Sequence, residues 1–262
     1  MLYFPPFLGG TLLLPGTLGK GMIPFAAFCL ASSATYVLND ILDKAQDSLH
    51  PLKKMRPIPA GDLSVRTAAV YSSLLAALSF IFSLRVSTTF TIHLAIYFLV
   101  SCLYSFKFKD IPIVDIFSIS SGFVVRLLAG GVAFGVVISE WLFLTVFLLA
   151  MFLSTGKRLG EKIILGEEAG SHRRCLESYP RGFLEGTMFL TGASVLVTYT
   201  MYALPHKPLV YSVPLCAYGL LRYILRVKSG AGGDPTESLV SDLQLLAVGV
   251  FWVVLVGWSI YW

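Results

Sequence analysis

The chain is a series of sparsely charged apolar runs, each close to the length that crosses a bilayer, separated by short segments that hold most of the charge. A membrane-crossing helix needs about 20 mainly apolar residues. Nine segments meet that requirement: 2–18, which is short and rich in Pro and Gly, then 21–38, 66–85, 88–106, 112–135, 140–156, 182–203, 207–226 and 239–262. The composition agrees, with 13% charged residues and a mean hydropathy of +0.76, against about 25% charged residues in a soluble domain. The fold predicted is all-α, a polytopic membrane protein of about nine transmembrane helices forming one transmembrane domain over residues 1–262. The opening MLYFPPFLGG has no basic stretch ahead of its apolar residues, so no cleavable signal peptide is predicted. Cys29, Cys102, Cys175 and Cys216 are scattered without metal-binding spacing and read as free thiols.

The polar segments carry the topological information. Loops 39–65, 107–111, 156–181 and 227–238, with the adjoining helix ends, contain most of the Lys and Arg, whereas the opposite side holds only Lys20, Arg85 and Lys207. That bias makes the charged side cytoplasmic. It is a membrane-topology signature, and no nucleic-acid partner is expected. Of the fifteen acidic residues, only Glu140 lies away from the charged side. The topology rule does not demand this, because acids contribute little to it. Both charge signs on one face point to a polar site at the membrane–cytosol boundary. Loops 39–65 and 156–181 resemble each other weakly, as two related halves would.

The first constellation is NDILDKAQDSLHPLKKMRPIPAG, residues 39–61. If the preceding helix continues, Asn39, Asp40, Asp43 and Asp47 fall within one arc of about 100°. Three carboxylates on one face repel unless a cation compensates them. Hard oxygen ligands suit Mg²⁺ bound together with substrate phosphates, and the alternative is a solvated acidic helix end. His50, Lys53, Lys54 and Arg56 follow, stiffened by Pro57 and Pro59. They fit either a phosphate grip over the acids or a basic cluster drawn to anionic lipid.

Three further segments carry charge. In YSFKFKDIPIVDIFSISSGFVVRLLAGG, residues 104–131, Asp115, Gly122 and Arg126 share one helical stripe. Arg126 lies deep in a span, so it needs a carboxylate on another helix or a substrate phosphate. Asp115, about 16 Å away along the axis, is too far to pair with it. Gly131 and Gly135 have the small-xxx-small spacing of close helix packing. In GKRLGEKIILGEEAGSHRRCLESYPRG, residues 156–182, Lys157 and Glu161 are spaced as an i,i+4 surface pair. Lys157 and Arg158 side by side also fit a phosphate. In RVKSGAGGDPTESLVSD, GAGG reads as a flexible turn and Asp234 as a helix cap.

Residues 39–61 resemble the first aspartate-rich motif, NDxxDxxxD, of the UbiA superfamily of intramembrane prenyltransferases. The resemblance covers nearly the whole chain and is strongest over 30–66, 104–131 and 151–179. It implies nine helices around a central cavity open to the cytosol. Members acting on aromatic acceptors carry a second DxxxD motif. Here Lys157-Arg158-x-x-Glu161 and Arg173-x-x-Leu176-x-x-Tyr179 stand in its place. That pattern is similar to the branch that transfers phosphoribosyl from phosphoribosyl pyrophosphate to a polyprenyl (decaprenyl-type) phosphate in the cytoplasmic membrane.

By that resemblance Asn39, Asp43 and Asp47 would hold Mg²⁺ on the diphosphate, with Asp40 in support. Lys53, Arg56, Lys109, Arg126, Lys157, Arg158 and Arg173 would meet phosphates, and Glu161, Asp115, Tyr104 and Tyr179 would support them. The family also opens with an Arg-Pro…Trp…Lys-Asn segment. This chain begins inside the following helix, so a shortened N-terminal helix is expected. The rival readings are prenyl transfer to an aromatic acceptor, which predicts a second acidic set, and a non-catalytic lipid-binding or transport protein.

Overall fold

A computed structural model describes residues 1–48, 53–166 and 174–262. All regular structure among these residues is helical. Eight long helices carry it: α1 (Met22–Leu42), α2 (Val65–Leu84), α3 (Thr88–Phe106), α4 (Val114–Phe134), α5 (Glu140–Leu165), α6 (Phe183–Ala203), α7 (Val213–Lys228) and α8 (Leu243–Tyr261). Among the described residues, seven candidate spans are long and apolar enough to cross a membrane, covering every long helix except α6. Glu185 and several hydroxyl residues make α6 more polar. Those hydroxyls bond back into the helix, Thr187 to the Phe183 carbonyl and Thr198 to the Ser194 carbonyl, for example.

The span expected over 2–18 is not a continuous helix. It forms two short ones, Phe4–Leu8 and Thr17–Lys20. Gly10 and Gly16, both at positive φ, and Pro15 interrupt the ladder between them. Other boundaries shift modestly. The expected 140–156 span runs on to Leu165, so Lys157 to Lys162 are helical. The 207–226 span begins as a 3₁₀ helix, Lys207–Ser212.

Local sequence sets most helix starts. Ser64, Ser87 and Ser139 cap α2, α3 and α5 by accepting from the amides of Thr67, Phe90 and Leu142. Asp242 caps α8 in the same way, from Gln244 and Leu245. The start of α4 is different. Ile113 has φ +69°, the only positive φ outside glycine among the described residues, and closes a γ-turn with the Val114 amide on the Pro112 carbonyl at 2.8 Å. Such a backbone costs about 1–3 kcal/mol. Gly135, at φ 68°, ends α4. It therefore terminates the helix and is not a packing glycine. The close contact is at Gly130, where a Cβ would lie 2.6 Å from the Leu2 carbonyl oxygen.

The described chain divides into two compact units, Met1–Pro5 with Leu12–Val137 and Pro6–Thr11 with Ile138–Trp262. In the first, α1 packs on α2 and α3, and α3 packs on α4. Ala27, Ala31 and Ala34 are fully buried along one stripe of α1. Their small side chains allow close approach, and Ser72 of α2 reaches the Ala34 carbonyl at 2.9 Å. Phe28 meets Phe90 edge-on and leans on Tyr97. The outer face of α2, with Val70, Leu74, Leu78 and Ile81 exposed, suits lipid.

In the second unit α5 packs on α6 and α7, and α7 packs on α8. Tyr199 bonds Ser212 and accepts from the Trp252 indole, tying α6 to the 3₁₀ segment and α8. No disulfide joins Cys29, Cys102, Cys175 or Cys216 among the described residues. Ala31→Leu should overpack the α1 stripe and lose about 1–3 kcal/mol. Val70→Ala on the outer face should change stability by less than about 0.5 kcal/mol. Unfolding in detergent micelles measures both.

Candidate active site

In the first unit the acid-rich end of α1 is folded around cations. The helix stops at Leu42, and Asp43 leaves the α region at ψ 0° before a single turn, Lys44–Asp47. Asn39 donates to Asp43 at 2.9 Å. Arg56 places one nitrogen, Nη1, between Asp40 at 2.7 Å and Asp47 at 3.0 Å. Lys53 lies 3.7 Å from Asp47. Lys109, in the 3₁₀ turn Phe108–Asp110 after α3, bonds Asp43. The segment 53–61 supplies Arg56 as the residue before Pro57, held extended at ψ 149°.

These contacts resolve the repulsion predicted for the acids, because every carboxylate has a cation. The Asp47 side chain is 5% exposed and that of Arg56 42%. Breaking a buried pair costs about 3–5 kcal/mol, mainly through the stranded charge. Here the exposed Arg56 lowers that cost.

Deeper in this unit, Arg126 donates to the Tyr97 hydroxyl at 2.6 Å, and Ser32 hydrogen-bonds the same oxygen at 3.0 Å. The guanidinium also lies 4.6 Å from the Tyr97 ring centroid and 5.5 Å from that of Phe123. Its partners are thus a hydroxyl and two aromatic faces. No carboxylate pairs with it among the described residues, and its Nε has no partner. Asp115 is fully buried in the first turn of α4, while Tyr104 is half-buried near the end of α3.

In the second unit the charged end of α5 pairs differently from the i,i+4 expectation. Lys157 reaches Asp234 at 2.8 Å, and Arg158 reaches Glu161 at 3.0 Å. The Arg158 side chain is 2% exposed, so its guanidinium is buried and not offered at an open surface. The two cations that read as adjacent phosphate ligands therefore separate, and Lys157 alone faces outward. Lys162 donates to the Tyr179 carbonyl, and the Tyr179 ring stacks on Phe183. Arg173 and His50 lie outside the described residues.

Asp234 had only a capping role in the sequence. It does cap Pro235–Ser241, accepting from Thr236 and Glu237, and its other oxygen takes Lys157. Burial raises its pKa, but the Lys157 hydrogen bond and the two backbone amides outweigh burial and hold it below the usual carboxylate range. The GAGG segment is not a free turn, since Gly233 lies against Gly156 and Gly160. Nearby, Asp242 takes both Nε and Nη2 of Arg222, at 3.0 and 2.9 Å, a pair the sequence did not single out.

No group of three or more His, Cys, Asp or Glu arranged to hold a metal occurs among the described residues. The donors at Asn39, Asp43 and Asp47 are nonetheless hard oxygens already compensated by positive charge. They fit a Mg²⁺ that takes two carboxylates and fills its shell with water and phosphate oxygens. Such an ion would displace the Lys109 and Arg56 contacts.

A model of the UbiA prenyltransferase family matches residues 3–159. The chain belongs to this family.

Among curated relatives of this UbiA-family chain, the decaprenyl-phosphate phosphoribosyltransferase of Mycolicibacterium smegmatis is 32% identical, covering 92% of this chain and 80% of that protein. The protein of the same name from Corynebacterium glutamicum is 33% identical, with 91% and 75% covered. A UbiA homolog from Archaeoglobus fulgidus, solved with GPP and Mg²⁺, superposes with a TM-score of 0.77 over 99% of this chain and 94% of that one, at 19% identity. The last likeness concerns the fold. The expected count of nine spans is not reached among the described residues, where 2–18 is broken and α6 is not apolar enough to qualify.

Arg56→Gln should leave the buried Asp47 carboxylate to the longer Lys53 contact and lower the melting temperature by at least about 3 °C. Millimolar Mg²⁺ should restore more stability to this variant than it adds to the wild type. An equal response of both proteins contradicts the compensation described above.

Proposed function

We propose that this UbiA-family chain transfers the 5-phosphoribosyl group of phosphoribosyl pyrophosphate to a polyprenyl phosphate in the membrane, acting as one domain of the cytoplasmic membrane with its charged ends toward the cytosol. The observation that carries the reading is the 32% identity, over 92% of the chain, to a relative named for that reaction. Supporting it, Lys157, Arg158 and Glu161 stand where a prenyl transferase for aromatic acceptors would carry a second carboxylate pair. The charge distribution, with Lys and Arg gathered on alternate loops, supports the orientation.

The chemistry needs positioning and charge stabilisation more than a protein nucleophile. The acceptor phosphate is already anionic. One of its oxygens forms a bond to C1 of the ribose, the C1–oxygen bond to pyrophosphate breaks, and pyrophosphate departs with that electron pair. Attack opposite the leaving group turns the α donor into a β product. Asn39, Asp43 and Asp47 would hold Mg²⁺, which supplies charge neutralisation for the leaving diphosphate. Asp40 steadies Arg56.

Once a donor is bound, Arg56, Lys53 and Lys109 exchange carboxylates for phosphate oxygens, where Arg contributes a fork and Lys a point charge. Arg126, with a free Nε, takes a further phosphate oxygen. Lys157 serves a phosphate group, with Arg158 bracing Glu161 behind it, and Arg173 belongs to the same set. Asp115, Tyr104 and Tyr179 hold the surrounding turns.

Purified protein with labelled phosphoribosyl pyrophosphate, Mg²⁺ and polyprenyl phosphate should move label into the lipid fraction. Asp43→Asn should abolish transfer, by at least about a hundredfold, without unfolding the protein. Label that stays in the aqueous phase while a prenyl diphosphate alkylates an aromatic acceptor refutes the proposal.

A further inference from the structure

We propose that Asp234 is a positioning residue that aims the Lys157 ammonium at a substrate phosphate. The inference rests on the phosphate role given to Lys157 above. Three elements of the second unit build this contact. Along α5, Gly156 and Gly160 present bare backbone to the loop after α7. A Cβ on Gly160 would lie 2.6 Å from the Gly233 nitrogen and 2.7 Å from its Cα. From α7, the Tyr223 hydroxyl crosses the edge of Gly156 and donates to the Gly233 carbonyl at 2.6 Å, with the Leu153 carbonyl at 3.3 Å. Arg226 holds the same loop through the Ala231 carbonyl at 3.1 Å and Ser241 at 2.7 Å.

Residue 234 follows directly from this wedge. One Asp234 oxygen is fixed by the Thr236 and Glu237 amides, and the other receives Lys157 at 2.8 Å. Side-chain exposures of 43% for Lys157 and 38% for Asp234 leave the pair open to solvent. An ion pair that exposed adds little to stability. The consequence of the wedge is therefore placement of a cation. A lysine has three donors on a flexible stem. Holding one donor on a fixed carboxylate removes rotamer freedom and leaves two donors for a phosphate. Its neighbour cannot take over this task, because Arg158 is buried on Glu161.

The test separates aiming from capping, because Asn caps a helix about as well as Asp but lacks the charge that holds Lys157. Asp234→Asn should melt within about 2 °C of the wild type. It should raise KM for phosphoribosyl pyrophosphate about tenfold with a smaller change in kcat. In a Lys157→Met background the same change should add nothing. A wild-type KM in Asp234→Asn, or an equal increase with and without Lys157, overturns the proposal.

A substrate-free readout keeps this result apart from the assigned reaction. Acylation of Lys157 by a water-soluble amine reagent, followed by peptide mass spectrometry, should be faster in Asp234→Asn. Unchanged labelling overturns the clamp. Faster labelling in a protein whose wild type does not use phosphoribosyl pyrophosphate supports the clamp and overturns only the substrate assigned above.

Discussion

Charge at the edge of hydrocarbon must be compensated, and within each unit the polar helix ends are arranged by how this chain does it. Asp40 and Asp47 share Arg56, while Asp43 takes Lys109. Lys157 has Asp234, Arg158 has Glu161 and Asp242 has Arg222. Apart from Arg158–Glu161, which lies within α5, these pairs join separate segments, so satisfying the charges also shapes the polar ends of the helices. Segment 53–61 is drawn back onto α1, and the loop after α7 is drawn onto α5. A donor carrying phosphates and a divalent cation brings both charge signs with it. Exchange of an internal partner for a substrate partner then leaves no charge stranded, and avoiding a stranded charge is what makes such exchange affordable next to lipid.

This compensation also bears on the relation between family and reaction. Family membership and the fold constrain the scaffold, and the reaction depends on the residues that line its ends. An acid-rich first motif is compatible with any diphosphate donor. Lys157 held by Asp234, in place of a further carboxylate pair, favours a donor with additional phosphate to bind. The deep Arg126 adds to the same bias, because its contacts are a tyrosine hydroxyl and two aromatic faces.

Much of the helical framework was legible because bilayer thickness imposes a length and apolar runs of that length with few charges are conspicuous. Helix starts were written locally, as Ser64, Ser87 and Ser139 illustrate. The segment 2–18 misled because hydropathy alone ignores what Pro15 and two positive-φ glycines do to a helical ladder. At the site, the sequence exposed the charged residues but not their pairings. The i,i+4 rule joined Lys157 to Glu161, whereas the structure gives Lys157 a partner 77 positions away and turns Arg158 inward. Contacts of that separation depend on which glycines permit backbones to touch. The partner of Arg126 was missed for a related reason, since nothing local singles out Tyr97 and its hydroxyl becomes significant only once α3 and α4 pack together.

The central claim is the identity of the group transferred. The most direct measurement offers phosphoribosyl pyrophosphate and a prenyl diphosphate to the protein together, with polyprenyl phosphate, an aromatic acceptor and Mg²⁺, and takes the mass spectrum of the lipid products. The account predicts a polyprenyl phosphate heavier by one phosphoribosyl group and no prenylated aromatic. A prenylated aromatic with unmodified polyprenyl phosphate would contradict it.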